Sequence, residues 1–140
     1  MGTRRKSREC ALQLLYQADF SPLEFEAANA LYWEIHGAKD EQIRPYAEFL
    51  VRGTLEHKQD IDLLIQKFSE HWRLERMAAV DRNILRLAVF EFLHEQETPT
   101  TVVINEALEI ARKYSTEEST QFINGILDAI NKNFLPGISK

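Results

Sequence analysis

The sequence predicts an all-α protein of six or seven helices. Three observations carry this. Apolar residues recur at i, i+3, i+4 and i+7 along most of the 140 residues. Helix-breaking punctuation is sparse, with five Gly and four Pro. No sustained run alternates apolar and polar residues, and no Asn-Gly or Asp-Gly pair joins such runs as a hairpin turn would.

The first helix is expected from about Thr3 to Asp19, with Ala11, Leu14, Leu15 and Ala18 as one stripe. Arg4, Arg5 and Arg8 cluster at its other end, and Ser21-Pro22 breaks it. A second helix spans roughly Leu23 to His36, with Phe25, Ala28, Tyr32 and Ile35 on one side and Gly37 as its stop. Pro45 suits the first turn of a third, which turns Tyr46, Phe49, Leu50 and Gly53 to one face. The pattern runs on, or restarts near Gln59, through Ile61, Leu64, Ile65 and Phe68. Ser69–Met77 is charged, contains Trp72 and reads as a connection.

The next helix runs from about Ala78 to His94, with Leu85, Ala88, Val89 and Phe92 inward, and Thr98-Pro99 ends it. Another follows from about Thr100, aligning Val103, Ala107, Ile110 and Tyr114. The last starts at a capping box, Ser115-x-x-Glu118, and carries Phe122, Ile123, Ile126, Leu127 and Ile130. Gly125 inside it costs about 1 kcal/mol against Ala, which points to close approach of another backbone. Pro136-Gly137 closes the chain, with a loose end expected. The seam at 69–77 divides one domain, residues 1–140, into two sub-bundles of about three helices each.

Cys10 is the single cysteine, so no internal disulfide can form and a reducing, cytoplasmic setting is expected. No apolar run approaches the roughly 20 residues of a membrane span. The basic start lacks an apolar core, so no secretory leader is expected. The net charge of −5 is uneven. The first ten residues hold four bases and one acid, a net of +3; the rest holds thirteen bases and twenty-one acids, a net of −8. A basic arm on an acidic body is a nucleic-acid pattern. Cations at a helix N-terminus also oppose the macrodipole, which argues that they serve a ligand.

Catalysis finds no support. His36, His57, His71 and His94 lack metal-site spacing, and the acidic pairs read as solvated surface. Cys10 reads as a packed small residue rather than a nucleophile. No phosphate loop and no G-x-S-x-G is present, so neither a cofactor nor a metal is expected. Asn105-Glu106 and Asn124-Gly125 stand as polar groups at inward-leaning positions. Tyr16 and Phe122 are candidate stacking aromatics.

Three stretches in order resemble the NusB family of transcription antitermination factors. They are Arg4-Arg-Lys-Ser-Arg-Glu-Cys-Ala-Leu-Gln-Leu-Leu-Tyr16, Val80-Asp-Arg-Asn-Ile-Leu-Arg-Leu-Ala-Val-Phe-Glu91, and Pro99 through Asn105-Glu106-Ala107 to Phe122-Ile-Asn-Gly-Ile-Leu-Asp128. Ser21–Pro45 carries no such motif. The resemblance implies two three-helix sub-bundles, no catalysis and no cofactor. It implies binding to boxA-type single-stranded RNA as a heterodimer with NusE, a small-subunit ribosomal protein. It also implies assembly with RNA polymerase, NusA and NusG, and readthrough of terminators in ribosomal RNA operons.

By position, the resemblance puts Arg4, Arg5, Lys6 and Arg8 on RNA, with Glu118, Gln121 and Phe122 as a second RNA patch. Tyr16 and Asp81 face the NusE-like partner, with Glu75 and Arg76 near that surface. Lys6 keeps charge but lacks the bidentate fork of Arg. A homodimer through the partner surface is a further expectation. The same domain occurs fused to RNA cytosine methyltransferases, whose catalysis needs more chain than these residues supply. The alternative reading is a helical protein–protein adaptor whose basic arm has no specific RNA target.

Overall fold

The computed structural model describes residues 2–21, 23–36 and 41–138, and most of them are helical. The long helices are α1 (Gly2–Phe20), α2 (Phe25–His36), α3 (Arg44–Glu56), α4 (Lys58–Ser69), α5 (Ala79–His94), α6 (Thr100–Tyr114) and α7 (Glu117–Asn133). A 3₁₀ turn covers Leu74–Arg76, and a single turn, α8, covers Leu135–Ile138. No strand occurs among the described residues.

Helix α5 is the axis of the fold. It packs on α1, α3, α4, α6 and α7. Five neighbours on one helix leave little of it to water, so its buried residues include Asp81, Asn83, Arg86 and Glu91 as well as Leu85, Val89 and Phe90. The apolar stripe of Leu85, Ala88, Val89 and Phe92 is therefore only part of its buried surface. Ion pairs fix the directions of its neighbours. Asp19 meets Arg82 and Asn83, while Arg8 meets Glu91, so α1 runs antiparallel to α5. Arg5 meets Glu106 and Glu9 meets Lys113, so α1 and α6 run parallel.

Several local expectations are corrected. In α1 the buried stripe is Ala11, Leu12, Leu14 and Leu15, and Ala18 is exposed. In α2 the buried face is Asn29, Tyr32 and Trp33, while Ile35 is 68% exposed. The Trp33 indole donates to Asn29 Oδ1 at 2.8 Å, so a polar residue takes the inward position. Phe49 and Tyr114, expected on core faces, are exposed at the rims of α3 and α6. Helices α3 and α4 are separate and meet at His57. Pro22 and Gly37 lie outside the described residues.

The capping box is also corrected. Thr116, not Ser115, caps α7, its hydroxyl accepting from the Ser119 N–H at 3.0 Å. Ser115 turns its hydroxyl to Asp81 instead. Gly125 is exposed with open space around it, so no backbone approaches there. The close approach is at Gly53, where a Cβ would overlap the Phe90 ring. Phe90 is 2% exposed, and the missing side chain at Gly53 is what lets α3 lie this close to α5. The C-terminal turn is docked rather than loose up to Ile138, with Leu135 buried in the core. Asn105 and Asn124 are exposed rather than inward-leaning.

Candidate nucleic-acid interface

The four cations of the first helix separate by geometry. Ser7 is fully buried and donates to the Ile43 carbonyl at 2.8 Å, fixing the rotation of α1. Arg8, one position on, therefore points inward. Its Nε and Nη2 each donate to a Glu91 carboxylate oxygen at 2.9 Å. The two side chains are 7% and 2% exposed, and the Tyr46 hydroxyl donates to the same carboxylate at 2.6 Å. Burial alone would lower the Arg8 pKa; the Glu91 hydrogen bonds and charge outweigh it and hold it above its ordinary value. Burial, then the Glu91 charge, raises Tyr46.

Arg5 forks onto Glu106 of α6 at 2.8 and 2.9 Å with its side chain 42% exposed. Hydrogen bonds from Arg5 hold the Glu106 carboxyl below its usual range. Arg4 is exposed and sits over the Tyr46 ring, its guanidinium carbon 3.6 Å from the ring centroid. Lys6 is exposed. The helix-dipole argument thus has an internal answer for Arg5 and Arg8, which serve carboxylates of neighbouring helices. Arg4 and Lys6 are the cations turned to solvent, with part of Arg5 beside them.

At the opposite end of α1, Asp19 ties the start of α5. It accepts from Asn83 at 2.9 Å and Arg82 at 3.1 Å, while Arg86 forks onto Asp62 at 2.8 and 3.0 Å. Burial would raise the Asp19 carboxyl, and these donors with the Arg86 charge outweigh it and lower it. Tyr16 is exposed beside Phe20, ring centroids 5.1 Å apart, and lines an apolar groove of about 370 Å³ with Phe20, Leu31 and Ile35. Cys10 is half-buried in the middle of the helix.

Four of the remaining expected residues, Arg76, Asp81, Glu118 and Phe122, line a second cleft of about 320 Å³ between the 69–77 connection and α7. Phe122 and Glu118 come from α7, Arg76 and Met77 from the connection, and Asp81 from α5. Asp81 is 6% exposed and accepts from Ser115 at 2.6 Å and Ser119 at 2.7 Å, clamping the start of α7 onto α5. Glu75 faces solvent and pairs with Arg73 at 3.1 Å. Its carboxyl is lowered by a backbone hydrogen bond, then by Arg73. Gln121 is exposed on α7 and does not line the cleft. The expected RNA residues Glu118 and Phe122 and the expected partner residues Arg76 and Asp81 therefore share one cavity. Asp81 and Glu91 are ten residues apart on α5, so this cleft and the basic end of α1 are separated by roughly 15 Å.

The sequence reading missed Trp72, which walls this cleft at 55% exposure with its ring centroid 6.1 Å from that of Phe122. An aromatic residue in a charged connection was the available signal. It also missed Glu91, whose only signal was an acid on an otherwise inward helix.

The NusB family model matches residues 5–132, nearly the whole chain. The chain belongs to the NusB family. It is 50% identical over 129 residues to the transcription antitermination protein NusB of Koribacter versatilis, covering 92% of this chain and 88% of that one. Among solved structures it superposes on NusB of T. maritima with a TM-score of 0.86 at 38% identity, over 96% of this chain and 94% of that one. A crystal structure of the antitermination factors NusB and NusE in complex with dsRNA gives 0.86 at 29% identity, over 96% of this chain and 99% of that one. The NusB family consists of antitermination factors rather than enzymes. In this member, no helix among the described residues is long and apolar enough to cross a membrane.

Proposed function

We propose that this chain is an RNA-binding antitermination factor that works as a heterodimer with NusE on boxA-type nascent RNA. The observation that carries the proposal is the likeness, over nearly the full chain, to a NusB that binds NusE and RNA together. The surface chemistry supports it. Arg4 and Lys6 offer charge at one end of α1, and the cleft holding Glu118 and Phe122 offers aromatic and polar groups about 15 Å away. Arg8 acts by fixing the helix that presents Arg4 and Lys6. Tyr16, with Glu75 and Arg76 of the 69–77 connection, offers the surface for NusE, and Asp81 acts there by holding the start of α7. The heterodimer then joins RNA polymerase with NusA and NusG and favours readthrough in ribosomal RNA operons.

Two weak contacts on one RNA raise the effective concentration of each for the other, so the heterodimer binds more tightly than either protein alone. The acidic body disfavours indiscriminate binding along the phosphate backbone. The test is the salt dependence of RNA affinity for the heterodimer. Arg4→Ala with Lys6→Ala is expected to flatten the slope of log affinity against log salt by roughly 0.7 per lost phosphate contact. An unchanged slope would show that the basic end of α1 does not touch RNA.

A further inference from the structure

We infer that Glu106 is a positioning residue, which fixes the Arg5 guanidinium as a fork for one RNA phosphate and thereby sets how well the chain discriminates between RNAs. This rests on the RNA-binding reading above and adds a residue of α6 to it. Four side chains form a ladder of alternating charge from the core to the surface. Glu91 of α5 holds Arg8 through two hydrogen bonds, Arg8 Nη1 lies 3.8 Å from Glu106 Oε1, and Glu106 holds Arg5 through two more. Side-chain exposure rises along the ladder, from 2% at Glu91 through 7% and 18% to 42% at Arg5. The inner pair is buried and holds the fold. The outer pair ends in water, where an ion pair adds little to stability. What its bidentate geometry does add is a fixed direction for the guanidinium.

Arg5 uses its Nε and one N–H of Nη2 on Glu106. A guanidinium has five N–H groups in a planar fork, so the second N–H of Nη2 and both of Nη1 remain. Among the described residues no side chain accepts from Arg5 Nη1. The neighbouring acids are engaged elsewhere, Glu9 with Lys113 and Tyr114, and Glu109 with Arg112. The remaining edge matches two oxygens of a phosphate, which an Arg fork binds bidentately. The ladder of two acids and two guanidiniums has no net charge. It therefore rewards a phosphate at the right place and draws little RNA from a distance. Phosphate contacts carry no sequence themselves, but they fix the register in which contacts elsewhere read the bases. Arg4, over the Tyr46 ring, and exposed Lys6 have no such carboxylate fork among the described residues and supply unselective charge.

The test measures the affinity of the full chain, saturated with NusE, for a boxA-type single-stranded RNA and for a scrambled RNA of the same composition, across a range of salt. Glu106→Gln keeps the shape and removes the charge. It is expected to raise affinity for the scrambled RNA about fourfold near 0.15 M salt, and to steepen the slope of log affinity against log salt by roughly 0.7, one phosphate contact. Affinity for the boxA-type RNA should stay within about twofold, because the added charge offsets the loosened fork, so the preference falls by about two- to eightfold. Arg5→Lys keeps the charge and removes the fork. It should weaken boxA-type binding about tenfold and leave scrambled binding unchanged. This variant lies at the outer end of the ladder, so it keeps the test decisive if Glu106→Gln unfolds. In Arg5→Ala, adding Glu106→Gln should change neither the preference nor the slope, since the carboxylate acts through Arg5.

An unchanged preference in both Glu106→Gln and Arg5→Lys overturns the positioning role. A Glu106→Gln effect that persists in full in Arg5→Ala shows that the carboxylate merely repels RNA, and also overturns it. Wild-type RNA affinity in Arg5→Ala, with affinity lost in Arg4→Ala/Lys6→Ala, overturns the fork and leaves RNA binding standing. No RNA binding by the wild-type heterodimer overturns the functional reading itself.

Discussion

Replacing Glu91 by Ala should be among the most damaging single changes in this protein. The substitution leaves the Arg8 guanidinium, 7% exposed, without its bidentate acceptor, and takes the acceptor from the Tyr46 hydroxyl as well. Removing one partner of a buried ion pair costs about 3–5 kcal/mol, because the other charge stays buried and uncompensated. At this chain length each kcal/mol shifts Tm by about 4 °C, so a fall of about 12–20 °C is expected. Urea unfolding followed by circular dichroism gives the free energy directly. The triple variant Arg8→Met/Glu91→Leu/Tyr46→Phe removes every polar member together and should recover most of the loss. A loss below about 1 kcal/mol in Glu91→Ala would refute the reasoning. So would an Arg8→Met variant that keeps wild-type stability but loses RNA affinity, for then Arg8 would face the ligand and not the core.

The glycines give a pair of opposite effects. Gly53→Ala should destabilise by about 1–3 kcal/mol, since its Cβ collides with the Phe90 ring, whereas exposed Gly125→Ala should stabilise by about 0.5–1 kcal/mol. Urea midpoints measure both, and a stabilised Gly53→Ala would contradict the packing described. Thr116→Ala should cost about 1 kcal/mol and Ser115→Ala should not act through the cap, which amide exchange in the first turn of α7 distinguishes. His94 stacks on His57 at 4.2 Å, and burial, then the His57 charge, lowers its pKa. The unfolded chain therefore takes up this proton first. The contribution is complete above the ordinary value of 6.5 and is lost as pH falls from there through the folded value. Melting curves across that window should show a steeper fall for wild type than for His94→Phe; identical curves would count against it.

Helix number and order were legible because most of the helices carry an apolar stripe that period 3.6 reveals. What periodicity could not show was α5, whose buried Asp81, Asn83, Arg86 and Glu91 look in sequence like a solvated face. A polar residue reads the same whether water or an ion-pair partner satisfies it, and the partners on other helices lie 24 to 83 positions away. The same blindness affected the basic arm. Four cations in five positions were visible, but that Arg8 meets Glu91 and Arg5 meets Glu106 is set by how α1 docks on α5 and α6. Ile35 failed for the converse reason: its stripe is amphipathic, and Asn29 and Trp33 hold the inward side through a hydrogen bond of their own. Trp72 escaped because a connection has no period against which an exposed aromatic stands out.

The most direct test is RNA affinity measured with and without NusE, on boxA-type RNA and on a scrambled RNA of the same composition. Preference for the boxA-type RNA, sharpened when NusE is added, is the predicted result. Equal binding of the two RNAs by the heterodimer would contradict the account and leave a helical adaptor whose basic end has no specific RNA target.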